Sequence, residues 1–141
     1  ITPQMPSVTR RRFDTRFFVT TVPHLQEAAH DDVETTASSW LAPREALTQY
    51  WAGQIELAPP QIMTLAELAS HASVASALTV PARRPPPVIQ PEPFEHEGTR
   101  VITYPGDERH SIKQRIWSGP TRLAYRNKRF EPLDGFESLF A

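Results

Sequence analysis

The sequence predicts an α+β fold, because strand-like and helix-like patterns occupy different parts of the chain. Segments rich in β-branched and aromatic residues lie in both halves, at residues 13–22 and 100–104, and helical apolar spacing falls between them. Six prolines at residues 81–93 divide the two halves. We therefore divide the chain into a first domain portion at residues 1–80, a proline-rich connector at 81–93 and a β-rich extension at 94–141.

The composition excludes several classes of protein. The 141 residues can bury one core, and the absence of cysteine excludes disulfides, thiolate metal sites and a cysteine nucleophile. No apolar run approaches the roughly 18 residues of a membrane span. The formal net charge of -1 provides no basic field for nucleic acid. We expect neither a membrane nor a nucleic-acid partner, and we expect a cytoplasmic protein. The arginine-heavy, alanine- and proline-rich composition indicates a GC-rich bacterial genome.

Two strands are predicted near the start of the chain. Residues 13–22 (FDTRFFVTTV) are β-branched and aromatic, and they stop at Pro23. The near-continuous apolar stretch 17–19 indicates a strand that is buried on both faces. Residues 33–41 favour a second strand after a polar loop.

An amphipathic helix is predicted to begin at Pro43, because proline is favoured at the first helical position. Its apolar stripe consists of Ala46, Leu47, Tyr50 and Trp51. Gly53 is expected to end this helix in a left-handed conformation. We expect Leu47 and the two aromatic residues of the stripe, together with Trp40, to lie in the core rather than to form a substrate platform.

Two further helices are predicted before the connector. The prolines at residues 59–60 break the chain, and Thr64 and Glu67 have the spacing of a capping box, so a helix should begin near residue 65. Ser73 is a suitable N-cap for a short helix over residues 74–78.

The second half contains the connector and a series of predicted strands. We favour a connector that runs as a strap along the domain surface over one that docks into an aromatic groove of a partner. Strands are predicted at residues 100–104, 112–117 and 121–130, with turns at 105–107 and 118–120. Arginines that alternate with apolar residues indicate a solvated sheet face. Leu139 and Phe140 are expected to dock back on the domain or to mediate pairing.

Few residue patterns in the chain indicate chemistry. The five histidines include no HExxH and no pair at i, i+4, and the five scattered glycines form no phosphate-binding loop. Asp31, Asp32 and Glu34 follow a predicted strand, and their carboxylate oxygens suit Mg²⁺. From composition alone, a solvated loop is the favoured interpretation of this acidic cluster.

Several segments, taken in chain order, resemble Nudix hydrolases. Residues 10–19 (RRRFDTRFFV) resemble the strand that follows the Nudix box. Residues 30–47 are similar to the segment with the family pattern W-x-x-P-x-E-A-L, matched by Trp40, Pro43, Glu45, Ala46 and Leu47. Residues 53–68 resemble the next stretch of that fold, matched by Gly53, Leu57, Pro59, Pro60, Leu65 and Leu68. Residues 104–132 are similar in part to a C-terminal extension found in one subgroup of the family. That subgroup is associated with acyl-CoA or nucleoside diphosphate-linked substrates.

The resemblance implies part of a Nudix-like α/β/α sandwich with a mixed sheet, followed by the β-rich extension. The family's catalytic signature, G-x5-E-x7-R-E-x-x-E-E-x-G, is absent, because no glycine has a glutamate six residues later. The pair Arg44-Glu45 also lacks the Glu-Glu that should follow. The family places this box before the strand that residues 10–19 resemble. We therefore expect a missing N-terminal portion, which agrees with a chain that starts at Ile1.

The resemblance also implies substrate-binding residues on the first predicted strand. Arg12, Asp14, Arg16 and Phe17 would lie beside the substrate cleft. Arg12 or Arg16 would pair with a substrate phosphate, because guanidinium groups bind phosphate in a bidentate manner. A salt bridge to Asp14 or Glu34 is an equal alternative for these arginines.

The acidic loop acquires a role through the same resemblance. Asp31, Asp32 and Glu34 would lie where several Nudix enzymes place an auxiliary carboxylate, and they would bind Mg²⁺ or Mn²⁺. Glu34 would be catalytic, as a metal ligand or as a general base.

We therefore expect a portion of a metal-dependent Nudix-type hydrolase that cleaves a diphosphate linkage in a nucleotide- or CoA-linked substrate. Its partners would be that small molecule, the missing N-terminal portion and a second copy in a homodimer. The alternatives are a non-catalytic Nudix-like binding module and an unrelated interaction domain that uses the proline-rich connector.

Overall fold

The computed structural model describes residues 14–27 and 38–141, and it confirms the α+β class. The elements are α1 (Pro43–Trp51), α2 (Pro59–Ala69), α3 (Val74–Arg83), β1 (Glu92–His96), β2 (Thr99–Thr103), β3 (Arg122–Arg126), β4 (Arg129–Pro132) and a C-terminal 3₁₀ helix (Phe136–Phe140). The four strands form one antiparallel sheet in the order β1-β2-β3-β4. Over the two described ranges, no helix has the length and apolarity to cross a membrane.

The predicted strand at residues 13–22 is wrong over its described part. Residues 14–22 are irregular, and Phe17 and Phe18 are 59% and 87% exposed. Isolated strands are unstable, because their backbone groups and side chains need neighbouring strands. None of the four described strands pairs with this segment. Of the second predicted strand, residues 38–41 are also irregular, and 33–37 lie outside the described residues.

Helix α1 confirms the predicted amphipathic helix. It begins at Pro43 and buries Ala46, Leu47 and Tyr50. Gly53 follows with a φ of 76°, the left-handed conformation expected after a helix end. The expectation of a buried Trp40 is wrong, since this side chain is 63% exposed. Trp40 precedes the helix and is therefore outside the stripe that faces the core.

Helix α2 begins earlier than predicted. It starts at Pro59, because Pro59 and Pro60 occupy first-turn positions where no N–H partner is needed. The Gln61 side chain accepts a hydrogen bond from the N–H of Ala58 at 2.8 Å, which closes the N-terminus. The Thr64 hydroxyl donates to the carbonyl of Pro60 at 2.7 Å, so it lies within the helix rather than capping it.

Helix α3 confirms the predicted cap and is longer than predicted. The Ser73 hydroxyl accepts a hydrogen bond from the N–H of Ser76 at 3.2 Å. The helix continues to Arg83, and strand β1 begins at Glu92, so residues 84–91 carry the irregular part of the connector. The division of the chain into domains remains a prediction.

The sheet contains two tight hairpins. The strand predicted at residues 100–104 is confirmed as β2, which pairs with β1 through a turn at Glu97 and Gly98. The single strand predicted at residues 121–130 is wrong, because Asn127 and Lys128 have φ values of 52° and 61° and reverse the chain between β3 and β4. Two successive residues with positive φ are the conformation of a type I′ hairpin turn.

Residues 112–117 form no strand, although their pattern predicts one. The Arg115 side chain donates to the carbonyls of Trp117, Ser118 and Gly119, which holds this stretch as a loop. Gly106 permits the close approach of that loop, because a Cβ there would lie 2.9 Å from the Cα of Arg115. Its φ of 100° is also a conformation that favours glycine.

The core lies between the helices and one face of the sheet. Its buried members are Leu47, Tyr50, Ile62, Met63, Ala66, Ile102, Tyr104, Leu123 and Leu139. The predicted docking of the C-terminal tail is confirmed, because Leu139 is 1% exposed and Phe140 packs against the same cluster. The tail thus completes the core that α1, α2 and the sheet begin.

Candidate functional site

Three of the sequence-predicted site residues lie in the irregular segment before α1. Asp14, Arg16 and Phe17 are exposed, and the structure describes no ion pair between Asp14 and Arg16. Both charged side chains lie outside the core of the described residues. Their roles in substrate binding remain predictions.

The remaining predicted site residues lie outside the described part of the chain. These residues are Arg12, Asp31, Asp32 and Glu34. Within residues 14–27 and 38–141, no three histidine or carboxylate side chains come together as a metal site. A divalent metal therefore finds no ligand set in the described fold, and the acidic loop is where its ligands are predicted.

Arg44 connects α1 with the C-terminal helix. Its guanidinium donates to both carboxylate oxygens of Glu137 at 2.9 Å and lies 4.0 Å from the ring centroid of Phe140. Glu45, the next residue of the family-like segment, is exposed. Arg44 therefore fixes the tail to α1, which is a structural role.

Asp107, which is 5% exposed, forms an ion pair with Arg122. Arg122 donates to its two oxygens at 2.6 and 3.0 Å, and the Thr121 hydroxyl and the Arg109 N–H donate as well. Burial on its own would raise the pKa of Asp107, but the hydrogen bonds from Arg122 and Arg109 outweigh it and lower the pKa. The second carboxylate on Arg122 is Glu108, which is 81% exposed.

Glu131 and Arg129 form a second pair, which connects the sheet to α1. Arg129 donates to Glu131 at 2.8 Å and to the carbonyls of Tyr50 and Trp51 at the end of the helix. The Tyr50 carbonyl also accepts a hydrogen bond from the Gly53 N–H at 3.0 Å, and the guanidinium adds a donor to the carbonyls at the C-terminal end of the helix. Burial tends to raise the pKa of Glu131, yet the hydrogen bonds from Arg129 and Asn127 lower it overall.

His110 connects the irregular part of the connector with the loop after β2. Its Nδ1 accepts a hydrogen bond from the Ile112 N–H at 3.0 Å, so its Nε2 carries the proton and donates to the Gln90 carbonyl at 2.8 Å. Ser111 donates to Glu92 through its hydroxyl and its N–H, and these two bonds lower the pKa of Glu92. Because both ring nitrogens are hydrogen-bonded to backbone groups, His110 has a structural role and holds the connector against the loop after β2.

These ion pairs are the features that the sequence pattern missed. Arg122 and Arg129 belong to the arginines that were expected on a solvated face, yet their side chains are only 24% and 23% exposed. The sequence places Arg129 and Glu131 two residues apart, so that both lie on the same face of a strand. This placement becomes apparent only when the hairpin turn at residues 127–128 is recognised. Each buried carboxylate has an arginine partner, so the arrangement stabilises the sheet and offers no free acid or base.

The outer face of the sheet carries a shallow groove of about 210 Å³. Phe94, His96, Thr99, Val101, Arg122, Arg126 and Leu133 line it. Its two arginines already bind carboxylates, since Arg122 contacts Asp107 and Arg126 lies 3.5 Å from Glu131. Because carboxylates of the same chain already neutralise these two guanidinium groups, the groove has little capacity to bind an anion.

Removing the hydroxyl of either of two buried tyrosines is expected to change the free energy of unfolding in opposite directions. The Tyr50 hydroxyl donates to the Phe130 carbonyl at 2.7 Å, whereas the Tyr104 hydroxyl has no partner among the described residues. Tyr50→Phe is expected to lower the free energy of unfolding by about 1 kcal/mol, and Tyr104→Phe to raise it by up to about 1 kcal/mol. Urea denaturation of both variants checks this, and a loss of stability in Tyr104→Phe would contradict it.

The first half of the chain is similar to known proteins. Residues 1–68 match the family described as the NUDT19 Nudix domain. The acyl-coenzyme A diphosphatase NUDT19 of Xenopus laevis is 36% identical over 67 residues, which cover 48% of this chain and 18% of that protein. No solved structure matches the chain. Residues 1–68 are therefore similar to the Nudix domain of NUDT19 proteins.

Proposed function

We propose that this chain is part of a metal-dependent Nudix-type diphosphatase that acts on a nucleotide- or CoA-linked substrate. The observation that carries the proposal is the match of residues 1–68 to the NUDT19 Nudix domain. The similarity to a protein named acyl-coenzyme A diphosphatase favours a CoA derivative over other nucleotides. The Nudix family generally uses divalent metals, which supports Mg²⁺ or Mn²⁺ as the cofactor.

We infer that the glutamates of the Nudix box belong to an N-terminal portion of the same protein. The box signature is absent from the 141 residues, and the described side chains contain no alternative cluster of metal ligands. The segment at residues 14–22 would pair with strands of that portion, which would bury Phe17 and Phe18. This pairing would satisfy the backbone of a sequence that has strong strand propensity.

The residues of this chain would bind and orient the substrate. Arg12 or Arg16 would contact a phosphate of the diphosphate, and the exposed Arg16 is accessible for this contact. Asp14 and Phe17 would lie beside the same cleft. The bound metal supplies charge neutralisation of the diphosphate and activation of water.

The acidic loop would complete the metal site. Asp31 and Asp32 would contribute carboxylate oxygens, which are the ligands that Mg²⁺ and Mn²⁺ prefer. Glu34 would either bind the metal or accept the proton of the attacking water.

The experiment uses the complete protein with acyl-CoA, free CoA and a nucleoside diphosphate sugar, each with Mg²⁺ or Mn²⁺. Glu34→Gln is expected to lower kcat by roughly 100-fold, the scale typical of a lost general base. Glu27→Gln, an exposed carboxylate of the same region, is the matched control and should retain activity. Full turnover by Glu34→Gln would overturn its catalytic role, and no hydrolysis of any substrate would overturn the diphosphatase assignment.

The absence of the box from this sequence also favours a second candidate, a non-catalytic Nudix-like binding module. Such a module would bind CoA or a nucleotide in calorimetry without metal-dependent hydrolysis. A homodimer is a separate proposal, which sedimentation of the complete protein tests.

A further inference from the structure

The segment at residues 84–88 is an exposed stretch with three consecutive prolines. Every residue from Arg84 to Val88 is exposed, and Val88 reaches 82%. The strap favoured from the sequence would lie against the domain, so this exposure departs from that expectation. Prolines 85–87 fix φ near about -65° and have no N–H, which favours one turn of polyproline II helix about 9 Å long.

The C-terminal end of this segment is held by the fold. Arg83 ends helix α3 on one side. On the other side, Ile89 packs against the core, and the Gln90 carbonyl accepts the hydrogen bond from His110 at 2.8 Å. The prolines therefore lie beside one fixed point, and their ring constraint limits the additional ordering that binding requires.

The backbone of the segment offers acceptors to a partner. Within the described part of the chain, no donor binds the carbonyls of residues 85–88. Grooves that recognise polyproline II helices insert proline rings between aromatic side chains and donate hydrogen bonds to such carbonyls. The segment thus has the exposure, the conformation and the free acceptors of such a ligand.

Charge and spacing restrict the class of partner. Arg83 and Arg84 precede the prolines, are exposed and have no ion pair with any described residue. Their charge complements a groove flanked by carboxylates. The prolines at residues 85–87 are consecutive. The next proline, Pro91, is four residues after Pro87, so this segment has no P-x-x-P spacing. We propose that residues 83–88 bind a protein with an aromatic groove that accepts consecutive prolines beside acidic side chains.

The test titrates the 141-residue chain into an isotopically labelled WW domain of the class that binds proline-arginine sequences. NMR shifts confined to the aromatic groove, with a Kd between about 10 and 500 μM, are expected. The double variant Pro86→Ala/Pro87→Ala should weaken binding at least about ten-fold, because the polyproline II conformation loses its constraint. Its melting curve should match the parent, since both residues are exposed.

Charge reversal provides the second arm. Arg84→Glu should weaken binding about three-fold at low salt, and the difference should vanish in 1 M NaCl, where charges are screened over about 3 Å. Lys128→Glu, at the tip of the β3–β4 turn, is the matched control and should bind like the parent. No shifts at 1 mM chain, or binding that the double proline variant retains in full, would overturn the proposal. This outcome is independent of the diphosphatase assay.

Discussion

Replacing Leu139 with alanine is expected to lower the free energy of unfolding by about 3 kcal/mol. Leu139 is 1% exposed and belongs to the core cluster that contains Ile62 and Leu123. The truncation removes buried methyl groups and leaves a cavity, because α2 and the sheet are held by other contacts and collapse only partly. Urea denaturation, followed by circular dichroism, measures the change.

Leu133→Ala is the matched control for this prediction. Leu133 lies in the same tail and is 43% exposed, so the same truncation should cost less than about 1 kcal/mol. Equal effects of the two variants would show that the tail contributes nothing specific through Leu139. A loss confined to Leu139→Ala would establish that the last residues are part of the folding unit.

Asp107→Asn is expected to destabilise the protein by about 2 kcal/mol at neutral pH. The substitution preserves the shape of the side chain but removes the charge that faces Arg122. Losing one partner of a buried pair typically costs about 3–5 kcal/mol. The smaller value follows because Arg122 is 24% exposed and keeps its contact with Glu108.

The effect of Asp107→Asn should depend on pH in a defined direction. The native pKa of Asp107 is lowered, so its carboxylate contributes stability that is fully present above the unfolded pKa of about 4. That contribution is lost as the pH falls through the lower native pKa. The difference between parent and variant should therefore shrink below about pH 4.

Thermal melts between pH 2 and pH 7 measure this difference. Glu108→Gln is the control, because its carboxylate is 81% exposed and its pair with Arg122 should contribute less than about 1 kcal/mol. Glu131 also has a lowered pKa, so the parent loses further stability in the same window. The comparison between variants isolates Asp107, and a difference that stays constant down to pH 2 would contradict its assignment.

Local signals predicted the helical part of the fold well. Pro43 and the spacing of Leu47 and Tyr50 place α1, and Ser73 places the start of α3. The sequence pattern places the start of α2 too late, because Pro59-Pro60 is also typical of a chain break. Proline both ends helices and occupies their first turn, and only the position of the helix relative to the core distinguishes these roles.

The β-rich parts depended more on context. The hairpin at residues 127–128 lacks glycine, so its turn was invisible to a pattern based on Gly and Pro. Residues 14–22 have strong strand propensity and yet are irregular, because strand formation requires a pairing partner. The predicted substrate and metal residues remain predictions for the same reason, since their roles depend on groups brought together by the complete domain.

Sequence patterns alone predict the α+β class, the amphipathic face of α1, the docking of the tail and the resemblance of residues 10–68 to Nudix proteins. These properties follow from local spacing and residue type, which are properties of neighbouring residues along the chain. The folded structure is needed to show that Asp107 and Glu131 are buried with arginine partners, and that the prolines at residues 85–87 are exposed. Burial and charge pairing depend on residues that are distant in sequence, so they emerge only when the chain has folded.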